Sequence, residues 1–292
     1  MFNTDLINQL KTIQTLGELP MLVVSLCIDS RKYQKGELFL CLRGPSFDGF
    51  EFAEDIISKG CKIVIFESSK ESSAKAARLY KKNNTICLIE VENSINYLQD
   101  LSVLRLKQWR VGKQVIGITG SNGKTTHKEM LFGILEKLFP LKVFCTVGNL
   151  NNHIGVPLTI LSVSDAHHIL IVEMGSNHPG EIALLCDIVK PDSGLITNIG
   201  AAHLEFFKTE AGVFKEKRTL FEYIKKRAQG PFVANYEDKF LCQLQGYEKL
   251  TFFDSSRDLS DRKDGDVNII DYRLNKNILE LSFNKKKYLI EN

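Results

Sequence analysis

One stretch decides the fold: VIGITGSNGKTT, residues 115–126. Its first half is apolar and β-branched, as in a buried strand, and its second half turns through glycines into a helix-forming segment. Such a turn directs backbone N–H groups and a helix N-terminus at one point, where phosphate oxygens bind. Lys124 can reach the β- and γ-phosphates, and the hydroxyl of Thr125 can hold Mg²⁺. The stretch therefore predicts a nucleoside triphosphate site made of Gly120, Ser121, Asn122, Gly123, Lys124, Thr125 and Thr126.

This stretch departs from the general P-loop pattern at one position. Ile118 stands where that pattern has its first glycine, five residues before Gly123. The alternative is an ordinary strand-to-helix turn that carries a surface lysine. The strand before the turn, the helix after it and the paired threonines favour phosphate binding.

Apolar runs and helical repeats alternate on both sides of the loop. We predict strands at 22–28, 37–42, 61–66, 85–91, 114–119, 142–146, 168–174, 193–197, 231–235 and 250–253. We predict helices at 50–59, 72–82, 93–109, 124–139, 179–186 and 210–226. Residues 254–266 read as a loop, and residues 267–290 read as short antiparallel strands. The alternation predicts an α/β fold with a doubly wound, mostly parallel sheet in the P-loop part.

The length of the chain, 292 residues, accommodates two domains. The sequence turns polar around residues 110–113, and we place the boundary there. The prediction is a small N-terminal α/β domain at 1–110 and a central P-loop domain at 111–292.

The composition excludes several classes of protein. A net charge of +3 over 73 charged residues predicts no nucleic-acid partner, which would need a concentrated basic face. Seven cysteines without paired spacing predict reduced, mostly buried thiols. No secretion signal and no run of about 20 apolar residues is present in the sequence. We therefore predict a cytoplasmic protein with no membrane span.

Three further segments carry a family resemblance. They are GNLNNHIGVPLT at 148–159, EMGSNHPGEI at 173–182 and TNIGAAHLE at 197–205. Together with the phosphate loop they resemble the Mur ligase family, in the branch that adds D-alanyl-D-alanine. In the N-terminal part, DSR at 29–31, GELF at 36–39 and FDGF at 47–50 resemble the family's UDP-binding domain. The likeness is specific through about Phe221.

The resemblance implies an ATP-dependent, Mg²⁺-dependent peptide ligase of peptidoglycan precursor synthesis. The implied substrates are UDP-N-acetylmuramoyl tripeptide and D-alanyl-D-alanine. The family transfers the γ-phosphate of ATP to the tripeptide carboxylate, and the dipeptide amine then attacks the acyl phosphate. Because a carboxylate must approach a polyanion, such sites need cations between the two groups.

The resemblance also assigns roles to single residues. It implies that Glu173 is a metal ligand at the end of a buried strand and that His203 serves a second metal. It places the catalytic groups at Lys124, His203 and Lys217, and Lys217 corresponds to the lysine that the family carbamylates. The alternatives are a turn residue for Glu173, a structural histidine for His203 and one charge on a solvated helix face for Lys217.

Four residues are expected to contact substrate. The resemblance places Asn151 and Asn152 near the γ-phosphate, although a plain turn role is almost equally consistent. Ser30 and Arg31 are candidates for the UDP end of the precursor, since arginine pairs well with a diphosphate.

The family has a third, C-terminal domain that we expect to be absent from these 292 residues. We therefore expect the chain alone to bind Mg²⁺–ATP weakly and to ligate poorly. The alternatives are a nucleotide-binding module without ligase activity and another muramyl or folate-type amino-acid ligase.

Overall fold

The computed structural model describes residues 2–23, 25–227, 230–254, 268–275, 278–283 and 286–291. The chain divides into two compact units. The first unit comprises Met1–Val111 and Pro157–Asp165, and the second comprises Gly112–Val156 and Ala166–Asn292. The functions predicted for residues 1–110 and 111–292 stay predictions.

The first unit contains a five-stranded sheet in the order β2-β9-β8-β5-β4. All neighbours are parallel except β2, which runs antiparallel to β9 at one edge. The strands are β1 Phe2–Asn3, β2 Gln14–Leu16, β3 Leu22–Val23, β4 Leu26–Cys27, β5 Leu38–Leu40, β6 Arg43–Gly44, β7 Phe47–Asp48, β8 Ile63–Glu67 and β9 Cys87–Val91. The helices are α1 Asp5–Asn8, a 3₁₀ turn at Gly49–Phe52, α2 Ala53–Ser58, α3 Lys70–Lys82 and α4 Ser94–Trp109.

Local sequence explains most of these elements. Strands β8 and β9 are buried almost throughout, in keeping with sequences that are apolar except for Glu67 and Glu90. Ser69 and Asn93 accept N–H hydrogen bonds at the starts of α3 and α4, which fixes where these helices begin. The continuous strand predicted at 22–28 is wrong, because β3 pairs with β1 and β4 pairs with β5 in another sheet.

The second unit is built on a larger sheet, in which β11, β12, β10, β13, β14, β15 and β16 pair in parallel in that order. The strands are β10 Gln114–Thr119, β11 Val143–Cys145, β12 Ile169–Glu173, β13 Ser193–Ile196, β14 Phe232–Asn235, β15 Leu250–Asp254, β16 Asn268–Asn275, β17 Ile278–Phe283 and β18 Lys286–Glu291. The helices are α5 Lys124–Leu138, α7 Glu181–Val189, α8 Leu204–Phe207, α9 Glu210–Arg227 and a 3₁₀ turn at Leu241–Gln243. Helix α6, Gly155–Ser162, begins in this unit, and its residues from Pro157 onward belong to the first unit. The prediction of a mostly parallel sheet interleaved with helices is confirmed. Antiparallel pairing of β16 with β17 and of β17 with β18 also agrees with the sequence.

The register of the central strands sets the position of the site. β12 lies on one side of β10 and β13 lies on the other. The chain therefore adds strands first on one side of β10 and then on its other side. Ile118 pairs with Glu173, and Thr119 pairs with Ile196. The residues that follow these three strands therefore meet at one carboxyl edge, where ligands bind in open α/β sheets.

Three α-helices in the described residues were not predicted: the short α1 and α8, and α6. Apart from Asp254, which ends β15, the loop predicted at 254–266 lies outside the described residues. Among the helices of the described part, none is long and apolar enough to cross a membrane. Five of the seven cysteines are buried, whereas Cys145 is half-buried and Cys242 is exposed.

Candidate nucleotide-binding site

A cleft of about 480 Å³ lies at the carboxyl edge of the second unit's sheet. Seven of the residues singled out in the sequence line this cleft: Gly120, Ser121, Lys124, Asn151, Asn152, His203 and Lys217. They are separated by up to about a hundred residues in the chain. The parallel register of β10, β12 and β13 brings them together.

The phosphate loop has the backbone conformation that its glycines allow. Gly120 has a φ of +151° and Gly123 has a φ of +74°, and Gly123 is the residue before α5. A Cβ placed on Gly120 would lie 1.8 Å from Oγ1 of Thr197. The close approach of β13's exit to the loop therefore requires glycine at position 120.

The segment after β13 binds the loop through several hydrogen bonds. The N–H of Ser121 donates to the carbonyl of Asn198 at 2.9 Å, and the N–H of Asn122 donates to Oδ1 of Asn198 at 3.0 Å. The hydroxyl of Thr197 donates to the carbonyl of Asn122 at 2.6 Å. Two of the loop's N–H groups thus point at protein atoms, so the N–H groups of the first turn of α5 are the ones available to a phosphate.

Lys124 lies over the loop that it belongs to. Its Nζ donates to the carbonyls of Gly120 at 2.8 Å and of Ser121 at 3.2 Å. Burial lowers the pKa of Lys124, and the nearby Glu173 carboxylate opposes that shift. The ammonium is therefore held within the cleft, in position to exchange loop carbonyls for phosphate oxygens.

Glu173 ends β12 and is 1% exposed. One carboxylate oxygen accepts the hydroxyl of Thr125 at 2.9 Å, and the other accepts the amide of Asn151 at 2.8 Å. A carboxylate and a hydroxyl beside a phosphate loop fit Mg²⁺, which takes one or two protein oxygens together with phosphates and water. No group of three or more His, Cys, Asp or Glu residues suited to a metal occurs in the part of the chain that the structure describes.

A hydrogen bond to Thr146 fixes the backbone of Glu173. Its N–H donates to Oγ1 of Thr146 at 3.0 Å, and the carbonyl of Thr146 accepts Nζ of Lys128 at 2.6 Å. Lys128 is fully buried and also pairs with the Glu129 carboxylate at 2.8 Å. Neither Lys128 nor Thr146 stands in a motif that would identify it from the sequence alone.

Lys217 is buried on α9, with 2% of the residue exposed. The alternative of a solvated surface charge is therefore wrong for this residue. Its Nζ lies 3.4 Å from Oγ of Ser176. Burial lowers its pKa to about 8, Lys124 adds to the shift, and the carboxylates of Glu216 and Glu181 oppose it. An amine with such a pKa is partly neutral near pH 7.5, which is the form that reacts with carbon dioxide.

His203 and Asn152 occupy more exposed positions. His203 precedes α8 in the left-handed conformation, with a φ of +52°, and its side chain borders the cleft. Oδ1 of Asn152 accepts the N–H groups of Ile154 and Gly155 at 3.1 and 2.8 Å, so this side chain shapes the turn into α6. Their roles toward metal and substrate stay predictions, as does that of the exposed Thr126.

Ser30 and Arg31 lie in the first unit. The guanidinium of Arg31 forms a two-point pair with Asp29, from Nε to Oδ1 at 2.9 Å and from Nη2 to Oδ2 at 2.8 Å. This pairing lowers the pKa of Asp29 to about 2. The side chain of Arg31 remains 86% exposed, so it is accessible to an anionic ligand.

Residues 118–289 match the family model described as the Mur ligase middle domain, and residues 23–104 match the model described as the Mur ligase family catalytic domain. UDP-N-acetylmuramoyl-tripeptide–D-alanyl-D-alanine ligase of Bacillus subtilis is 32% identical over 241 residues, which are 81% of this chain and 50% of the relative. The crystal structure of MurF from Acinetobacter baumannii has a TM-score of 0.74 at 27% identity, over 94% of this chain and 56% of that one. A MurF ligase structure from Thermotoga maritima in complex with ADP has a TM-score of 0.70 at 28% identity, over 91% of this chain and 57% of that one.

The chain spans about half the length of the curated relatives that it matches. The middle-domain match covers more than half of the chain and includes the phosphate loop, Glu173 and Lys217. Fold, site geometry and sequence agree on one conclusion. The chain belongs to the Mur ligase family.

Proposed function

We propose that the cleft binds Mg²⁺–ATP and that the protein acts as the D-alanyl-D-alanine-adding ligase of peptidoglycan precursor synthesis. The observation that carries the proposal is that the phosphate loop and Lys217 line one cleft, while the buried Glu173 accepts the hydroxyl of Thr125 from that loop. Similarity to D-alanyl-D-alanine-adding ligases, at 32–34% identity, supports the choice of substrates.

In the first step, a carboxylate oxygen of UDP-N-acetylmuramoyl tripeptide attacks the γ-phosphorus of ATP. The bond from phosphorus to the β–γ bridging oxygen breaks, and ADP leaves with that electron pair. Lys124 moves from the carbonyls of Gly120 and Ser121 to the phosphates, where its charge reduces repulsion between the two anions. The N–H groups at the start of α5 hold the phosphate chain in line.

In the second step, the amine of D-alanyl-D-alanine attacks the acyl carbon. The new amide bond forms, the carbon–oxygen bond to phosphate breaks, and the amine proton passes to solvent or to a basic group of the site. Mg²⁺ bound with the nucleotide, next to Thr125 and Glu173, would supply positive charge for the transferred phosphoryl group. The roles of His203 and of Asn151 toward metal and substrate belong to the same proposal.

Lys217 acts as a carbamate in this proposal. Its neutral amine attacks carbon dioxide, a nitrogen–carbon bond forms, and one amine proton leaves to solvent. The product replaces a buried cation by an anion beside Ser176, in a cleft that already contains the Lys124 ammonium. An anion at that point attracts Lys124 and the metal that accompanies ATP, and the low pKa of Lys217 favours its formation.

The UDP end of the precursor is assigned to the first unit, at Ser30 and Arg31. The guanidinium of Arg31 is exposed and already arranged by Asp29 for two-point pairing, which suits a diphosphate. ATP-dependent ligation by this protein, its substrates and its cytoplasmic location are all parts of the proposal.

The test is ADP release by the purified chain with ATP, Mg²⁺, UDP-N-acetylmuramoyl tripeptide and D-alanyl-D-alanine, each omitted in turn. Lys124→Ala removes the phosphate-binding cation, and Lys137→Ala at an exposed position of the same helix is the matched control. ADP release that needs both substrates and Lys124 supports the whole proposal.

Two other results would change it. Nucleotide binding without turnover would agree with the poor ligation expected of this chain alone and would restrict the proposal, for these 292 residues, to a nucleotide-binding module. Turnover with a folate-type acceptor in place of the muramoyl tripeptide would contradict the substrate assignment.

A further inference from the structure

We infer that Asn198 is a positioning residue that fixes the shape of the phosphate loop before nucleotide binds. The inference rests on the proposed nucleotide function and adds a residue to that site. TNIGAAHLE, residues 197–205, was singled out in the sequence, but no role was assigned to its asparagine.

The position of Asn198 follows from strand pairing. Thr119 at the end of β10 pairs with Ile196 at the end of β13, so the two residues after Ile196 lie beside the loop that starts at Gly120. The N–H of Thr197 donates to the carbonyl of Thr119 at 3.0 Å and continues the ladder by one step. Asn198 therefore follows directly after the last residue of this ladder and lies beside the loop.

The side chain of Asn198 binds both backbone polar groups of one loop residue. Its Oδ1 accepts the N–H of Asn122 at 3.0 Å, and its Nδ2 donates to the carbonyl of Asn122 at 3.1 Å. Only a primary amide places an acceptor and a donor side by side in this way. Aspartate keeps the acceptor but turns the second contact into a repulsion between oxygens, and alanine loses both contacts.

Main-chain groups of residues 198–200 also form hydrogen bonds with the loop. The carbonyl of Asn198 accepts the N–H of Ser121 at 2.9 Å, and the N–H of Gly200 donates to Oγ of Ser121 at 2.9 Å. Two consecutive loop residues are thus held by residues 198–200, much as a neighbouring strand would hold them. We call this set of hydrogen bonds the Asn198 clamp.

The Asn198 clamp has a consequence for phosphate recognition. It directs the N–H groups of Ser121 and Asn122 away from the cleft. The backbone N–H groups at the start of α5 then remain to bind an anion. A loop that is already ordered has less conformational entropy to lose when the phosphates bind. Removing the side-chain contacts should therefore weaken binding of the phosphate chain while the sheet stays folded.

The experiment compares wild type, Asn198→Asp and Asn198→Ala by titration calorimetry with Mg²⁺–ATP and with inorganic tripolyphosphate. Gln114→Glu adds the same charge at the exposed, opposite end of β10 and is the matched control. We expect both Asn198 variants to lose affinity for both ligands by about 10-fold or more. We expect Gln114→Glu to bind as wild type does and all four proteins to melt at similar temperatures.

Wild-type affinity in a folded Asn198→Asp chain would overturn the inference and leave the proposed function intact. Absence of ATP binding by wild type would instead remove the proposed function itself. Amide hydrogen exchange of the nucleotide-free wild type gives a second test that needs no variant. The Asn198 clamp predicts slow exchange at Ser121 and Asn122, and fast exchange at both would refute it.

Discussion

Lys217 gives the sharpest prediction, because its environment has a measurable chemical consequence. Its pKa falls to about 8 from an ordinary 10.5. At pH 7.5 about a quarter of the Lys217 amines are then neutral, against about 0.1% of exposed lysines, a difference of about 200-fold. Because carbon dioxide reacts with the neutral amine, we expect Lys217 to form a carbamate at concentrations of dissolved carbon dioxide that leave surface lysines unmodified.

The assay is ¹³C NMR of the chain with ¹³C-labelled carbon dioxide, at a fixed dissolved concentration from pH 6.5 to 9. A lysine carbamate signal, separate from that of the N-terminal amine, should appear in wild type and be absent from Lys217→Met, while Lys215→Met, an exchange on the same helix, should retain it. The signal should grow as the pH rises through about 8. A Lys124→Ala exchange should raise the pH at which the signal grows, because Lys124 is the second cause of the low pKa of Lys217, after burial.

The lowered pKa of Lys217 also predicts how the stability of the protein depends on pH. The pKa of Lys217 is lower in the folded state, so the unfolded state binds more protons between about pH 8 and 10.5. In the absence of carbon dioxide, stability attributable to Lys217 should therefore be lowest below pH 8 and rise across that window. Keeping Lys217 protonated in the folded state lowers the free energy of unfolding by about 3 kcal/mol. We therefore expect Lys217→Met to be more stable than wild type near pH 7. No carbamate signal, together with unchanged stability in Lys217→Met, would refute this account of Lys217.

Three further predictions concern other parts of the molecule. Lys128→Met should lower the free energy of unfolding by about 2–4 kcal/mol in urea titrations, because it leaves the buried carbonyl of Thr146 without its donor; a change below about 0.5 kcal/mol would contradict this role. Gly120→Ala should abolish ATP binding, since its Cβ would overlap a neighbouring side chain, whereas Gly133→Ala, in open space on α5, should bind ATP normally and unfold at a higher temperature. Arg31→Ala should weaken UDP binding by about 10-fold in calorimetry without changing ATP binding, and equal UDP affinity would exclude Arg31 from the precursor site.

The sequence predicted the central sheet well because its central strands are mostly apolar. The runs that became β10, β12 and β13 suit strands buried on both faces, and little else in the sequence competes with that interpretation. Helix α6 was missed because Gly155 and Pro157 lie in its first turn, where they read as turn residues although both are permitted there.

Without the family resemblance, the site was predictable only where a motif carries its own geometry. Gly120 to Thr126 needed no partner to be identified, since the turn itself binds phosphate. The role of Asn198 depends on β13 lying next to β10, a pairing of distant segments that local sequence does not encode. The burial of Lys217 was hidden by its charged neighbours Lys215 and Arg218, which make the helix segment look solvated.

The most direct test of the account is calorimetric titration of Mg²⁺–ATP into the nucleotide-free chain, beside Lys124→Ala and the control Lys137→Ala. The account predicts saturable binding to wild type and to Lys137→Ala, and affinity lower by about 10-fold or more in Lys124→Ala. A folded wild-type chain that binds no Mg²⁺–ATP, or a Lys124→Ala chain that binds it as tightly as wild type, would contradict the account.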